Sequence, residues 1–381
     1  MADSPAVRRV VVVVQENHTT DNYFRAMRGY GANVATGWPT APNPPRGDQP
    51  HDRRAYFAWL TRGTAARLQF ATRTHLRFYL YLALTGAFLE NHCSGFGTNS
   101  TPNHLLLVGG QSPTLRNPPR GQPPPVWDLP SVPGLAEETG LDWRCYTAGE
   151  EYPIGFYEQL RALPRVLPSA QFFTDAAAGR LAPLVYLWST RPETEHPPEN
   201  VTAGMNHVWR AVDALVRAGG WNETVFMLTY DDWGGYDDHV RPPATEYTPD
   251  NVQLAPGPRV PLLIFGGCVK PVIESRWCSH ASVAKTAIQL LGLPALGVPR
   301  VDDDPGLADL ILAAPATPPP PSFGQPIPLP RLPRPAPRPN PLPPRPPGRP
   351  IPVPPVRLRD GSTLPPPNDV PLPQQPRPPT S

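Results

Sequence analysis

Apolar residues form several short, unbroken runs along the chain. The first is residues 10–14, five consecutive valines that follow two arginines. Continuous β-branched residues without alternation are typical of a strand buried on both faces of a parallel sheet, so we predict one at residues 7–14. Three later runs predict strands of the same kind: LAPLVYLWS from Leu181, Thr224–Tyr230, and RVPLLIFGG from Arg259.

Segments with helical spacing lie between these runs. We predict helices in HLRFYLYLALTGAFLENH from His75, in MNHVWRAVDALVRAGG from Met205, and in SHASVAKTAIQLLGL from Ser279. Alternating strands and helices predict an α/β fold with a mostly parallel central sheet flanked by helices. The apolar part of the first helix is shorter than the roughly 20 residues that a membrane span needs, so no transmembrane segment is predicted.

The last part of the chain has another composition. The 381 residues include 61 prolines, and from about Pro315 nearly every second residue is proline. Such a sequence cannot sustain a helix or a sheet ladder. We therefore predict a folded domain at residues 1–312 and a disordered, proline- and arginine-rich tail at residues 313–381. The tail either solubilises the protein or, through its PxxP spacings, docks a partner.

Charge and cysteine content exclude several classes of function. A formal net charge of +2 gives no reason to expect nucleic acid as a partner. The four cysteines contain no CxxC pair, so neither a disulfide scaffold nor a thiolate zinc site is indicated. The amino-terminal apolar run is too short for a signal peptide, and we expect a cytoplasmic location, with secretion as the alternative.

Polar side chains follow two of the predicted strands directly. Glu16 and Asn17 come after the valines, and Asp231 and Asp232 come after Thr224–Tyr230. Ligands of open parallel sheets gather beyond the carboxyl ends of the strands. Carboxylate and amide oxygens that meet there predict a divalent metal site, although the same residues are also common in turns and caps.

Hydroxyl and imidazole groups supply the remaining chemistry. Ser100 or Thr101, followed by a proline, predicts the start of a helix. A hydroxyl at a helix amino terminus lies beside free N–H groups that suit phosphate oxygens, so it is also a candidate nucleophile. His51, His196 and His239 are candidate proton donors for a leaving alkoxide, although a lone histidine is more often a surface or capping residue.

Taken together, four segments make the chain resemble the phosphoesterase family that contains bacterial phospholipases C and related acid phosphatases. ENHTTDNYF resembles the family's E-N-x-S-F-D-x-Y-F, and NSTPNHLLLVGG its T-x-P-N-R segment. TEHPPENVTAGMNHVWRAVDAL resembles the E-H-P segment with its helix. WNETVFMLTYDDWGGYDDHVRPP resembles Y-D-E/D-x-G-G followed by D-H-V-x-P-P, the most specific part. The likeness covers about residues 7–300.

The resemblance implies an alkaline-phosphatase-like α/β fold and hydrolysis of phosphate esters through a phosphorylated hydroxyl. By position, it implies Ser100 as the nucleophile, with Thr101 as the nearest rival. The implied metal ligands are Glu16, Asn17, Asp231 and Asp232, and the implied phosphate-facing histidines are His196 and His239, with His51 matched more loosely.

The chain departs from the family pattern at Thr20, Arg25 and His104, where the family has Phe, Gly and Arg. These departures leave the substrate open between a phosphorylated small molecule and a lipid headgroup. Two other functions also stay open. One is a sulfatase or phosphonate-type hydrolase on the same scaffold, and the other is a catalytically degenerate scaffold whose tail docks partners.

Overall fold

The computed structural model describes residues 7–119, 125–147, 153–248, 252–330 and 351–367. Its strands are β1 (Arg9–Gln15), β2 (Ala87–Leu89), β3 (His92–Cys93), β4 (Trp143–Thr147), β5 (Val166–Pro168), β6 (Leu184–Trp188), β7 (Thr224–Tyr230), β8 (Glu246–Tyr247), β9 (Gln253–Ala255), β10 (Leu262–Phe265), β11 (Val272–Glu274), β12 (Cys278–Ser279), β13 (Ile351–Pro352), β14 (Val356–Arg357) and β15 (Thr363–Leu364). Its α-helices are α1 (Thr20–Tyr23), α2 (Arg53–Arg62), α3 (Thr72–His75), α4 (Arg77–Thr85), α5 (Ser100–Gly109), α6 (Val132–Glu138), α7 (Gln171–Ala177), α8 (Val201–Arg217), α9 (His280–Leu291) and α10 (Pro299–Asp302).

Eight strands form the central sheet, in the order β11-β2-β10-β7-β1-β6-β4-β5. Strand β1 is parallel to both of its neighbours, β6 and β7, and the sheet continues in parallel to β4 and β5. On the other side, β10 runs antiparallel to β7 and β2, and β11 is again parallel to β2. The predicted α/β fold with a mostly parallel sheet is confirmed.

The valines of β1 explain its place near the middle of this sheet. Val10, Val12 and Val14 belong to a core on one face, which also contains residues of α5, α6 and α9. Val11 and Val13 belong to the core on the other face, where residues of α4, α7 and α8 pack. Because side chains alternate along a strand, an unbroken valine run supplies apolar contacts to both layers.

The helix predicted from His75 is interrupted, which corrects that prediction. Helix α4 ends at Thr85, and β2 begins two residues later. Gly86 lies between them, and a Cβ at this position would come within 2.4 Å of the backbone oxygen of Ile264. The close approach of β10 therefore admits only glycine there, and the chain turns from helix into an added strand of the sheet.

Two stretches of the predicted tail pack on the domain, which corrects the prediction of disorder for those residues. In residues 313–330, the carbonyl oxygens of Thr317 and Pro321 accept hydrogen bonds from the indole N–H groups of Trp221 and Trp209, both at 2.8 Å. In residues 351–367, β13 pairs in parallel with β8. Proline lacks an N–H group but keeps its carbonyl, so side-chain donors of the domain can bind a proline-rich segment. Residues 331–350 and 368–381 lie outside the described residues.

None of the helices described in the structure combines the length and the apolar character that a bilayer crossing requires.

Candidate functional site

The two polar strand ends lie side by side. Gln15, at the end of β1, pairs in register with Tyr230, at the end of β7. The residues that follow therefore leave the sheet together, and the N–H of Asp231 donates to the carbonyl oxygen of Gln15 at 3.2 Å. The parallel register brings Glu16 and Asn17 next to Asp231 and Asp232, as the sequence pattern predicts for adjacent parallel strands.

Ser100 completes this group from the opposite side. It is the first residue of α5, and its Oγ donates to Oδ2 of Asp232 at 3.2 Å. Oδ1 of Asp232 accepts from the N–H of Gly234 at 2.8 Å. Thr101, the rival candidate, is buried, and its N–H donates to Oδ1 of Asn117. We call Glu16, Asn17, Ser100, Asp231 and Asp232 the Ser100 cluster.

The Asn17 amide tests whether the Ser100 cluster fits a cation. In one orientation, its nitrogen donates to the two Asp231 oxygens at 2.7 and 3.2 Å, while its oxygen accepts from Nε2 of His196 and of His51. In the other orientation, the amide oxygen itself lies beside the Asp231 carboxylate, and the amide nitrogen faces Nε2 of His51 at 3.3 Å. The first orientation pairs every polar atom of the amide, so Asn17 links Asp231 to the two histidines, and its oxygen would become a cation ligand only if the amide turned over.

The carboxylates of the Ser100 cluster carry strongly shifted pKa values. Burial, followed by the charge of Asp231, raises the pKa of Glu16 to about 8. Burial and the neighbouring Asp232 raise the pKa of Asp231 well above its usual value, and burial also raises that of Asp232. A bound cation would remove this cost, because it stabilises the ionised form of each carboxylate. The donor set of carboxylate and amide oxygens fits a hard divalent ion.

His51 and His196 both face the Asn17 amide. Nδ1 of His51 lies 2.6 Å from the carbonyl oxygen of Gln49, and Nδ1 of His196 lies 2.7 Å from that of Pro197. A carbonyl oxygen only accepts, so each Nδ1 carries a proton and each Nε2 points into the site. Asp48 lies beside His51, with 3.5 Å between Oδ1 and Nδ1.

A family model described as the Phosphoesterase family matches residues 51–294 of the chain. The chain belongs to this family. The matched range contains Ser100, His196 and both aspartates that follow β7, while Glu16 and Asn17 precede it.

Curated relatives of this Phosphoesterase family member include two proteins named for phospholipase C activity. The chain is 28% identical to non-specific phospholipase C6 of Arabidopsis thaliana over 36% of its own length and 32% of the relative's. It is 21% identical to the non-hemolytic phospholipase C of Pseudomonas aeruginosa over 62% of its own length and 43% of the relative's. The chain therefore spans less than half the length of either relative.

Solved structures with a similar arrangement share little sequence with the chain. Murine ectonucleotide pyrophosphatase/phosphodiesterase 5 is 11% identical, with a TM-score of 0.46 over 80% of this chain and 100% of that one. A protein in the alkaline phosphatase superfamily from Vibrio parahaemolyticus is 10% identical, with a TM-score of 0.43 over 77% and 68% of the two chains. With TM-scores this low, the structural similarity supports no conclusion about function.

His239 lies in a separate group of side chains, whereas the family resemblance implies a place near the phosphate. Its Nδ1 is 2.6 Å from Oδ2 of Asp21, and its Nε2 is 3.1 Å from Oδ1 of Asn33. The buried Arg259 donates to both Asp21 and Asp238. These contacts tie His239 to Asp21 and Asn33, and we call Asp21, Asp238, His239 and Arg259 the Arg259 cluster.

Sequence reasoning noted His104 in this Phosphoesterase family member only as a departure from the family pattern. Its Nδ1 accepts from the indole N–H of Trp188 at 3.3 Å, so the neutral ring carries its proton on Nε2. That Nε2 lies 3.6 Å from Asp231 and 3.9 Å from Glu16. Burial lowers the pKa of His104 to about 3, so it stays neutral and directs an N–H dipole at the two carboxylates. Its position four residues after Ser100, on the next turn of α5, was the signal available in the sequence.

Proposed function

We propose that the chain is a metal-dependent hydrolase of phosphate esters with Ser100 as its nucleophile. The observation that carries this proposal is the hydrogen bond from Ser100 Oγ to Asp232 Oδ2, inside a buried group of carboxylates at the ends of two parallel strands. A hydroxyl held against a basic carboxylate at a helix amino terminus is suited to attack an electrophile that bears negative oxygens.

In the first step, Ser100 Oγ forms a bond to phosphorus and the ester P–O bond breaks. Asp232 lies in place to take the proton of the hydroxyl, because its Oδ2 already accepts that hydrogen bond. In the first turn of α5 the N–H of Thr101 donates to Asn117 and Pro102 has no N–H group, so α5 would stabilise the developing negative charge mainly through the positive end of its dipole. In the second step, water displaces Ser100 from phosphorus, which releases phosphate or a phosphomonoester and returns the proton to Oγ.

Proton delivery to the leaving oxygen falls to His196 or His51. Both rings hold Nδ1–H against a backbone carbonyl, which fixes their orientation and leaves Nε2 facing the site. In its doubly protonated form, either ring can donate from Nε2 to the leaving alkoxide and then accept a proton from the attacking water. The same Nε2 atoms can also hydrogen-bond phosphate oxygens before the reaction.

Glu16, Asn17, Asp231 and Asp232 would hold a divalent ion, whose identity the donor set leaves open. The ion would supply charge neutralisation for the phosphate oxygens and lower the pKa of the Ser100 hydroxyl. This cofactor proposal is supported by the raised pKa values of the three carboxylates and by the Asn17 amide within hydrogen-bond distance of Asp231.

Phosphate esters are the proposed substrate class, either small phosphorylated molecules or lipid headgroups. The phospholipase C names of the relatives support the second choice, which we treat as a proposal because the chain covers less than half of each. A cytoplasmic location and a docking partner for the proline-rich tail likewise stay proposals, testable by cell fractionation and by pull-down with residues 331–350 deleted.

Hydrolysis assays test the proposal directly. The purified full chain is assayed with p-nitrophenyl phosphate, bis-p-nitrophenyl phosphate and p-nitrophenyl sulfate, with EDTA or with added Mn²⁺, Mg²⁺, Ca²⁺ or Zn²⁺. We expect turnover of a phosphate ester that EDTA abolishes, loss of turnover in Ser100→Ala, and retention of most of it in Thr101→Val. Phosphoserine at Ser100 after acid quenching, detected by mass spectrometry, identifies the nucleophile.

Each other outcome assigns a different function. Preference for the sulfate ester would make the chain a sulfatase. Phosphorylation of Thr101 would identify Thr101, and not Ser100, as the nucleophile. No turnover with any metal, together with unchanged behaviour of Ser100→Ala, would reject the enzyme proposal.

A further inference from the structure

Glu195 is a completely buried carboxylate in the loop between β6 and α8. Its two oxygens accept hydrogen bonds from four side chains. Oε1 accepts from the Gln15 amide at 2.9 Å and from the Tyr79 hydroxyl, and Oε2 accepts from the hydroxyls of Tyr23 at 2.6 Å and Tyr230 at 2.7 Å. A carboxylate has about four lone-pair directions, so its acceptor capacity is filled.

Two of the four partners of Glu195 directly precede residues of the proposed site in the sequence. Gln15 directly precedes Glu16, and Tyr230 directly precedes Asp231. Glu195 itself directly precedes His196. Backbone bonds reinforce the connection, because the N–H of Glu16 donates to the carbonyl oxygen of Thr194 at 2.9 Å. One buried group therefore joins the three chain segments that carry the proposed metal ligands and a proposed proton donor.

We infer that Glu195 is a positioning residue that sets the distance of His196 from the carboxylates that follow β1 and β7. The inference rests on the proposed function. Glu195 does not touch the reacting atoms; it fixes the residue immediately before each of the three site segments. Hydrogen bonds to a charged acceptor are stronger and shorter than neutral ones, which suits a group that must hold three segments in one geometry.

The surroundings of Glu195 fix its own backbone and side chain. Its φ of 68° is rare for a residue with a side chain, and its carbonyl oxygen lies 3.0 Å from Nε2 of His18. Helix α8 approaches closely at Gly204, where an added Cβ would lie 2.1 Å from Cγ of Glu195. The loop conformation is thus held from both sides, and the carboxylate has one place in which to lie.

If Glu195 had only a structural role, its substitution would lower the stability of the protein without a selective effect on the proposed site. The control is Asp175, another buried carboxylate that accepts from a tyrosine, Tyr146 at 2.8 Å, and from the Gln171 amide. Within the described residues, the Asp175 carboxylate accepts only from Tyr146, Gln171 and Arg180, none of which adjoins a site residue, and it joins β4 to α7. Glu195→Gln and Asp175→Asn both replace a carboxylate by its amide of equal size, so they differ chiefly in what the carboxylate holds.

The experiment compares these two variants and a second pair with the wild-type full chain. Tyr230→Phe and Tyr79→Phe each remove one hydroxyl from Glu195, but only Tyr230 adjoins a site residue. Thermal unfolding, kcat and KM for p-nitrophenyl phosphate, and Mn²⁺ affinity by calorimetry are measured for all four. We expect Glu195→Gln to lower kcat or Mn²⁺ affinity by about 10- to 100-fold with a smaller change in KM. Asp175→Asn should keep both kcat and Mn²⁺ affinity within about twofold of the wild-type values.

Tyr230→Phe should lower kcat and Mn²⁺ affinity more than Tyr79→Phe at a similar loss of thermal stability. Recovery of part of the activity in Glu195→Asp, which restores the charge, would further support the inference. Equal effects of Glu195→Gln and Asp175→Asn on kcat and on Mn²⁺ affinity would overturn it. If the wild-type chain hydrolyses no phosphate ester, the proposed function fails, and the Mn²⁺ affinities alone then decide whether Glu195 positions the segments.

Discussion

The Ser100 cluster and the Arg259 cluster each contain a pair of buried aspartates, Asp231 with Asp232 and Asp21 with Asp238, yet their charges are balanced differently. In the Arg259 cluster, the guanidinium donates to Asp238 at 2.8 Å and to Asp21 at 3.2 Å, with no exposure to solvent. Burial opposes ionisation of Asp21, but the hydrogen bond from His239 and the charge of Arg259 outweigh it and lower its pKa.

The Ser100 cluster has no equivalent cation. Within the described residues, the basic side chains within 4.0 Å of its carboxylate oxygens are imidazoles, those of His51 and of the neutral His104, at 3.6 to 4.0 Å. Burial raises the pKa values of Glu16, Asp231 and Asp232, and the opposing effects of His196 and Arg191 on Glu16 and of Ser100 on the two aspartates do not offset it. The comparison indicates that an acidic cluster with its own buried guanidinium stabilises a fold, whereas one without it is suited to bind a cation from solution.

The largest expected difference between the clusters is in activity. Asp231→Asn should lower kcat/KM for p-nitrophenyl phosphate by about 10³-fold, because it removes a charge that would hold the ion against the phosphate. Asp238→Asn should lower it by less than about tenfold, since its carboxylate binds Arg259 and not the Ser100 cluster. Steady-state assays of both variants in saturating metal measure the difference, and similar losses in both would contradict it.

Folding stability should depend on the Arg259 cluster more than on the Ser100 cluster, which is the opposite of the order expected for activity. Arg259→Met should lower the free energy of unfolding by about 3 kcal/mol or more, because two buried carboxylates lose their counter-charge. In the metal-free protein, Asp231→Asn should raise the melting temperature, since it removes repulsion. Urea and thermal unfolding in EDTA test both. A destabilising Asp231→Asn would show that its carboxylate is compensated within the chain.

The pH dependence of stability should separate the metal-free from the metal-bound protein. The pKa of Glu16 rises from 4.5 to about 8 on folding, so the folded state keeps a proton that the unfolded chain has lost. Stability without metal should therefore fall as pH rises through this range, by about 3 kcal/mol between pH 5 and 8. With saturating Mn²⁺ the dependence should reverse, because binding displaces protons. Urea unfolding at both pH values measures it, and a metal-free protein that gains stability with pH would disprove the assignment.

The smallest effect is expected at His239. His239→Gln should change kcat by less than about threefold, because its ring binds Asp21 and Asn33. His196→Gln, in contrast, should lower kcat by about 10²-fold or more if His196 donates the proton to the leaving group. Measurements of kcat for both variants test this difference. An equally large loss of kcat in His239→Gln would indicate that His239 takes part in the reaction.

The sequence could predict that Glu16 and Asn17 meet Asp231 and Asp232 because the logic of these strand ends is local, whereas Ser100 was implied by the family resemblance. A strand buried on both faces must be continuous in apolar residues, and polar residues after two such strands meet if the strands are parallel neighbours. The register of Gln15 with Tyr230 is what brings Glu16 and Asp231 together. The sequence does not show directly which strands are neighbours. The polar residues that follow both strands were sufficient to indicate that these two strands lie side by side.

The place of His239 could not be predicted in this way. It follows the aspartates that come after β7 by only seven residues, and a motif-based reading places it in the same site. Its actual position depends on Arg259, twenty residues later and buried between two carboxylates. Glu195 escaped notice for a similar reason, since its four partners come from three separate parts of the chain.

The packed part of the proline-rich region has a practical consequence for anyone shortening the chain. Residues 313–330 cover α8, where Phe323 lies against Trp209 with ring centroids 5.1 Å apart and Ile327 is buried. Cutting at residue 312, the boundary that composition alone suggests, would uncover an aromatic patch on an outer helix. Exposed patches of this kind promote self-association, so a chain ending there should aggregate, whereas one that ends after residue 330 keeps this cover in place.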